Sequence, residues 1–362
     1  MKDLRRYLQL VSISGVIFTM TSCVNTETLE PQPIPITSNK IVLNLSAPES
    51  ISTRATDDFK LRYVAKIYNG SWKNLNTTKY SARQELVEGS AGPAGKENQM
   101  VFDVEANQSY VIFVFADYIP KEFVPSSEGY YNDYYYDTKS TKAGATGVNL
   151  LGNPGNLPVN DNDYNVTSDF FNNDNYDCFA GYVDIGEKGE EKIEKSIALD
   201  RIVSKVRVLD TTGRGGNLNV NVSEVSYVNH FDLINDGGGS AKTSSISHNL
   251  GSINLSGGEE DEILYFYTFS SKSTEGGYQP SLKFSLTVSN NDNFDGSNNS
   301  ASFTINKIPV KKNNITKVKG KFLHSLYSQD VTEGDVHKGA IFLNVSVSNT
   351  DWLSSESEWS SK

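Results

Sequence analysis

The residues that could do chemistry are few and poorly spaced for it. His230-Phe-Asp232 puts an imidazole two residues from a carboxylate, and Ser240 follows three glycines. A nucleophile elbow needs Gly-x-Ser-x-Gly, and here Ala241 is followed by Lys242. No Gly-x4-Gly-Lys-Ser/Thr loop is present to cradle a phosphate. Asn291-Asp-Asn293-Phe-Asp295-Gly296 opens like a calcium loop, with oxygen donors at the first, third and fifth places and Gly at the sixth. Its twelfth place is Ser302 rather than Glu, so the bidentate ligand is missing, and the segment reads as a hairpin connection between Leu282–Val288 and Phe303–Ile305. The acidic stretches 161–163 and 169–177 lack ligand spacing. Cys178 is expected in a strand, as a small core residue rather than a nucleophile. No catalytic residue, metal or cofactor is assigned, and the chain is not expected to be an enzyme.

Two other groups point to anchoring and contact. Lys2, Arg5 and Arg6 precede an apolar stretch from Leu8 to Met20, and Thr21-Ser22-Cys23 follows. A charged start, a short apolar run and small residues at the cut describe a signal peptide. The run is well short of the roughly 20 apolar residues a spanning helix needs. Cys23 directly after Ser resembles a lipobox, with Met20 where Leu is usual, so Cys23 is the expected acylated first residue of an outer-membrane lipoprotein. Processing would leave the chain more acidic still, since three basic residues leave with only Asp3. The second group is Tyr130, Tyr131, Tyr134, Tyr135 and Tyr136, flanked by Glu128 and Asp137. Tyrosine combines rigid area with a hydroxyl, so this run is a candidate adhesive surface for protein or glycan partners, against a loop folded onto its own domain.

The elements that must position these residues are strands. The chain has 362 residues, about two ordinary domains. Apolar content of 37% with 11% aromatic suffices to build cores, which argues against global disorder. With 44 acidic against 33 basic residues, the charge disfavours nucleic acid as a partner. Pro31, Pro33 and Pro35 make residues 23–39 an extended tether. Ile41, Leu43 and Leu45 then alternate with more polar neighbours, and Tyr110–Ala116 is a continuous apolar run, as for a strand buried on both faces. Further strands are read at 201–209, 263–269, 282–288 and 341–347. Turn signals stand between them at Asn69-Gly70, Asp236–Gly239, Gly257-Gly258 and Asp295-Gly296. Tyr80–Glu88 is the one stretch expected to form a short helix. This pattern points to an all-β chain of β-sandwiches: signal 1–22, tether 23–39, an N-terminal domain 40–195 and a C-terminal domain 196–362. Leu61-Arg-Tyr-Val-Ala-Lys-Ile and Asp200-Arg-Ile-Val-Ser-Lys-Val give the halves similar openings, a hint of duplication.

Three segments together resemble the fimbrillin superfamily of Bacteroidetes, the fimbrial subunits and fimbrium-anchoring lipoproteins. They are Cys23 with its tether and Ile51-Ser-Thr-Arg-Ala-Thr56, the strand Leu199–Val208, and Asn314–Leu323 followed by a terminal strand and Asp351-Trp352. The resemblance implies two tandem transthyretin-like sandwiches at the cell surface, in a fimbrium (pilus), with roles in adhesion. It implies assembly by strand donation, with other fimbrial subunits as partners. A trypsin-like protease cuts after a basic residue, the first strand is lost, and a neighbouring subunit's strand fills the groove. On that pattern Arg54 is the maturation site and Ile41, Leu43 and Leu45 mark the removable strand. Ile341, Leu343, Val345 and Val347 mark the donor strand. The alternative reading is an outer-membrane glycan-binding lipoprotein of a polysaccharide-utilisation system. Such platforms lean on exposed Trp, and the chain has only Trp72, Trp352 and Trp359.

Overall fold

The computed structural model describes residues 39–46, most of 58–326, and the strand 344–349. The breaks within the long stretch fall at 73–74, 76–79, 93–94, 140–145, 157–164, 190, 235–236, 239–240, 246, 271–277 and 289–299. Cys23, Arg54, Ile341, Leu343 and the candidate calcium loop at 291–296 lie outside the described residues.

The described residues are built mainly from strands. Its first half holds β1 (Lys40–Ser46), β2 (Phe59–Asn69), β3 (Ala82–Val87), β4 (Gln99–Asp103), β5 (Gln108–Pro120), β6 (Tyr136–Asp137), β7 (Gly147–Leu150), β8 (Cys178–Lys188), β9 (Ile193–Ala198) and β10 (Asp200–Arg201). The second holds β11 (Val203–Asp210), β12 (Gly215–Val228), β13 (His230–Asp232), β14 (Gly237–Gly238), β15 (Ala241–Ser244), β16 (His248–Ser256), β17 (Asp261–Phe269), β18 (Ser281–Val288), β19 (Ser300–Ile305), β20 (Asn314–Gly320) and β21 (Asn344–Asn349).

In the first half a three-stranded sheet, β4-β1-β9, packs on a five-stranded one, β10-β8-β5-β2-β3. They share one core: Ile41, Leu43 and Leu45 meet Leu61, Tyr63, Ile67, Ile112, Val114 and Phe179. Side chains alternate across a strand, so β2 and β5 have a second face. Tyr68, Val111, Phe113 and Phe115 on that face join the larger core of the second half. The apolar run at 110–116 is thus buried on both faces, as its composition predicts.

In the second half the sheet β17-β11-β20-β21 packs on β15-β12-β18-β19, with β16 also paired to β12. β18 and β19 form the expected hairpin, Leu282 opposite Ile305 and Thr287 opposite Ser300. Gly257 takes a positive φ of 82°, and the Asp261 carboxylate accepts the Gly257 and Gly258 amides at 2.7 and 3.1 Å, which fixes the turn expected there. A small sheet, β14-β13-β7-β6, joins the halves through β7 and β13. Arg201 adds a bidentate pair with Asp177 at 2.7 and 2.9 Å.

Two expectations are corrected. Residues 82–87 form a strand and not part of a helix, paired with β2 from Arg62–Val87 to Ile67–Ala82. Arg83 and Glu85 face a buried polar cluster while Leu86 enters the core, a two-residue period that tertiary pairing enforces over helix propensity. The two similar openings also hold different places. Leu61–Ile67 lies in β2, antiparallel to both neighbours, whereas β11 is antiparallel to β17 and parallel to β20. The pairing of β11 is instead that of β1, antiparallel to β4 and parallel to β9. Alternating aliphatic and basic residues suit any strand with one apolar face, so the likeness did not mark equivalent strands. β9 runs across the boundary read at 195–196, and both β9 and β10 pair with strands of the first half.

Candidate functional site

The site is the position of β1. Its register sets Ile41 opposite Phe102, Val42 opposite Val101 and Leu43 opposite Met100 on the antiparallel side. On the parallel side Ile41 lies beside Ile193 and Leu45 beside Ile197. Ile41, Leu43 and Leu45 are buried, each contributing roughly 1.5–3 kcal/mol by area. The opposite face holds β1 by polar contacts to both flanking strands. Gln99 Nε2 donates to Asn44 Oδ1 at 2.8 Å, and Asn44 Nδ2 donates to Glu194 Oε1 at 3.0 Å. Ser46 Oγ donates to the Ile197 carbonyl at 3.0 Å, and Lys40 pairs with Asp103 at 2.9 Å. Val42 is buried against Val101.

The outer edge of β4 is occupied. The Gln84 side chain imitates a neighbouring strand: its Oε1 accepts the Val101 amide at 3.2 Å and its Nε2 donates to the Val101 carbonyl. That blunts the β4 edge. Beyond β9 the chain crosses to the facing sheet over Gly181, where a Cβ would come within 2.7 Å of the Ala198 carbonyl. β9 itself exposes Glu194, Lys195 and Ser196. Gly181→Val is therefore expected to lower stability by about 1–3 kcal/mol, as overpacking does, read as a shift of the urea midpoint. Gln84→Leu keeps the volume and removes both bonds. It is expected to destabilise by about 1–2 kcal/mol and to raise concentration-dependent association in light scattering, because the edge becomes available.

The tyrosine run lies over the other face of the five-stranded sheet. Tyr135 and Tyr136 are buried, which removes them from any adhesive surface. Tyr136 donates its hydroxyl to the Tyr176 carbonyl, and Tyr135 accepts from Asn173 Nδ2 at 3.4 Å. Burial pushes the Tyr135 phenol up to about 12. Tyr130, Tyr131 and Tyr134 keep part of their surface, with the Arg83 guanidinium 5.5 Å from the Tyr130 ring centre and Lys60 Nζ 5.0 Å from that of Tyr131.

Asp133, within the run, is the anchor. Arg62 on β2 is wholly buried and donates from Nε and Nη2 to Asp117 at 2.9 and 2.8 Å and from Nη1 to Asp133 at 2.8 Å. Glu85 lies 3.6 Å from Arg62, pairs with Arg83, and accepts the Tyr131 amide at 2.8 Å. Burial would raise the Asp133 carboxyl, but Arg62 beside it and the Thr138 donors outweigh burial and hold it below the usual range. Lys66, four residues along β2 and on the same face, is drawn down by burial to about 8. Sequence reasoning passed over this cluster. The available signal was Arg62, Lys66 and Asp117 inside otherwise apolar strands, because a charge in a two-faced buried strand must be paired.

The remaining chemistry-bearing residues do not converge. His230 Nδ1 lies 2.9 Å from Asn149 Oδ1, while Asp232 accepts from Thr146 and the Ile234 amide. Cys178 is buried and free, with its thiol pushed up by burial. Trp72 stacks on Tyr182 with ring centres 4.1 Å apart. The side chains of Val345 and Val347 lie outside the described residues, while the backbone of β21 pairs antiparallel with β20, Val345 opposite Val318 and Val347 opposite Thr316.

These features define a β-sandwich protein whose first body strand is gripped from both sides. The chain belongs to a family of unknown function, DUF6562, whose model matches residues 33–348. No curated protein matches it. Among solved structures, it is similar to a candidate cell adhesion protein of Bacteroides eggerthii, at 12% identity over 87% of this chain and 97% of that one, with a TM-score of 0.42. It is similar to a fimbrial assembly protein of Parabacteroides distasonis, at 10% identity over 86% and 95%, with a TM-score of 0.39. It is similar to the fimbrial anchor protein of Porphyromonas gingivalis, at 10% identity over 86% and 97%, also with a TM-score of 0.39. Among the described residues no helix is long and apolar enough to cross a membrane.

Proposed function

We propose that this is a non-enzymatic cell-surface protein, a subunit or anchor of a fimbrium, that works by exchanging its first strand. Cys23 carries the lipid that holds the precursor to the outer membrane, and 24–39 is the tether. Cleavage after Arg54 separates β1 from the body. A strand from another subunit then takes its place, and Ile341–Val347 is the segment each subunit offers. The tandem sandwiches meet at the passage from β9 to β11.

One observation carries the reading: β1 is a middle strand, antiparallel on one side and parallel on the other. Losing it would open a slot with two unpaired strand edges and an apolar floor, and only an extended segment of alternating character can satisfy both. The glycan-platform reading is less well served, because Tyr135 and Tyr136 are buried.

Limited trypsin treatment of the mature protein tests the proposal. The expected result is one early cut after Arg54, loss of the preceding peptide by intact mass, and growth of oligomers. An Arg54 site that resists cleavage, with a lasting monomer, removes the mechanism.

A further inference from the structure

β17 ends its sheet, with β11 as its neighbour on the inner side. Within it Ile263-Leu-Tyr-Phe-Tyr-Thr-Phe269 holds no charge, proline or glycine and is rich in aromatic and branched residues. A run of this kind pairs readily with a copy of itself when its backbone edge is open. Edge strands are protected by being short, charged or covered. β17 is nine residues long, and its only charges are at its first two positions, Asp261 and Glu262.

The cover comes from the first half of the chain. Phe171 bridges to Phe266, and beside it Asn172 imitates a paired strand. Its amide donates to the Tyr265 carbonyl at 2.9 Å, and its Oδ1 accepts the Tyr265 amide at 2.8 Å. Asn172 takes a positive φ of 54°, a conformation that Asn tolerates better than most residues. Two residues on, Asp174 clasps the same sheet. Lys205 Nζ and the Tyr267 hydroxyl both donate to its Oδ1 at 2.7 Å, and Lys205 Nζ also sits 3.6 Å from the Tyr265 ring centre.

The device has a counterpart in the first half. β4 stands to β1 as β17 stands to β11, antiparallel to it and outermost in its sheet. There Gln84 supplies the equivalent two bonds to Val101, both from its side chain. Each half thus closes the same edge with an amide residue from outside the sheet.

We propose that residues 171–174 are a guard that keeps Ile263–Phe269 from pairing with the same run of a second copy. Two identical edges meeting antiparallel make an isologous contact, so the species held back is a two-fold dimer. The occupant follows from the run itself: Tyr265 and Tyr267 share one face, and pairing them with their own copies sets no like charges opposite each other. This guard is independent of the exchange of β1.

The test uses the full chain with Asn172→Gly and Asp174→Ala together. Glycine keeps the left-handed backbone and deletes only the Oδ1 acceptor, while the alanine releases the clasp. Val208→Ala, at a wholly buried position on β11, is the control that lowers stability without opening the edge. Hydrogen exchange at the Tyr265 amide and sedimentation across a wide range of concentration are read on each chain. The expected result is exchange at Tyr265 about tenfold faster and a dimer that grows with concentration beyond anything the natural chain forms. Adding Tyr265→Glu, which brings like charges together across the two-fold pair, is expected to remove that dimer. Where the double variant does not fold, Asn172→Gly alone should show the same pattern, with exchange about threefold faster. Unchanged exchange at Tyr265 would overturn the guard, and faster exchange without added dimer would overturn the second copy as what it holds back. A dimer that Val208→Ala reproduces, or that Tyr265→Glu leaves in place, would come from general loosening and overturn the proposal as well.

Discussion

Arg62→Met is expected to cost about 3–5 kcal/mol of stability, the range for breaking a buried pair by removing one partner. The reason lies in what remains. Asp117, Asp133 and Glu85 all have side chains shielded from solvent, and Arg62 is within 2.8–3.6 Å of each. Without the guanidinium the nearby carboxylates are left with Arg83, Lys66 and scattered hydrogen bonds, and burial penalises each of them. The change should also have a local signature. Asp133 is the tie that holds the tyrosine run against the sheet, so cleavage at Lys121 and Lys139 should speed up more than global unfolding predicts. Lys192→Met, which removes the exposed pair with Glu194 at 3.1 Å, is the control and should shift stability by less than about 1 kcal/mol. Chemical denaturation measures both. A loss below about 1 kcal/mol for Arg62→Met would mean that the cluster is reached by water and holds nothing.

That cluster also marks where sequence reasoning stops. The strand class, the doubly buried run at 110–116 and the 282–305 hairpin were legible because each leaves a period-two or continuous apolar trace. Residues 82–87 were not, because Ala-Arg-Gln-Glu-Leu-Val has the composition of a helix turn, and only pairing with β2 assigns Arg83 and Glu85 to one face. A loop folded onto its own domain was one of the two readings of the tyrosines, but which of them are buried was not legible. What ties the run down is Asp133 reaching Arg62, 71 positions away. β1 was legible as a strand, but not as a middle one. Parallel pairing of Ile41 with Ile193 spans most of the first half, and no local pattern encodes it.

The second large effect concerns the competition for the slot. Leu43→Ala should cost about 2–5 kcal/mol in the intact chain, since Leu43 is wholly buried and its loss leaves a cavity between the two sheets. If β1 and the incoming strand use the same place, the same truncation has a second consequence. It weakens the resident and leaves the incomer untouched, so exchange should move towards the incomer by about two orders of magnitude for a 3 kcal/mol loss. Leu343→Ala weakens the incomer at the matching position, and should move exchange by a similar factor the other way. The doubly truncated pair should return close to the starting balance, because each strand then leaves the same cavity under the same neighbours. The measurement is the fraction of cleaved protein that has given up its first strand at equilibrium with a fixed concentration of donor. Opposite signs with cancellation are what a shared slot requires, and two shifts in the same direction would mean that the strands do not compete for one site. General destabilisation cannot produce that pattern, since it would push both single truncations the same way.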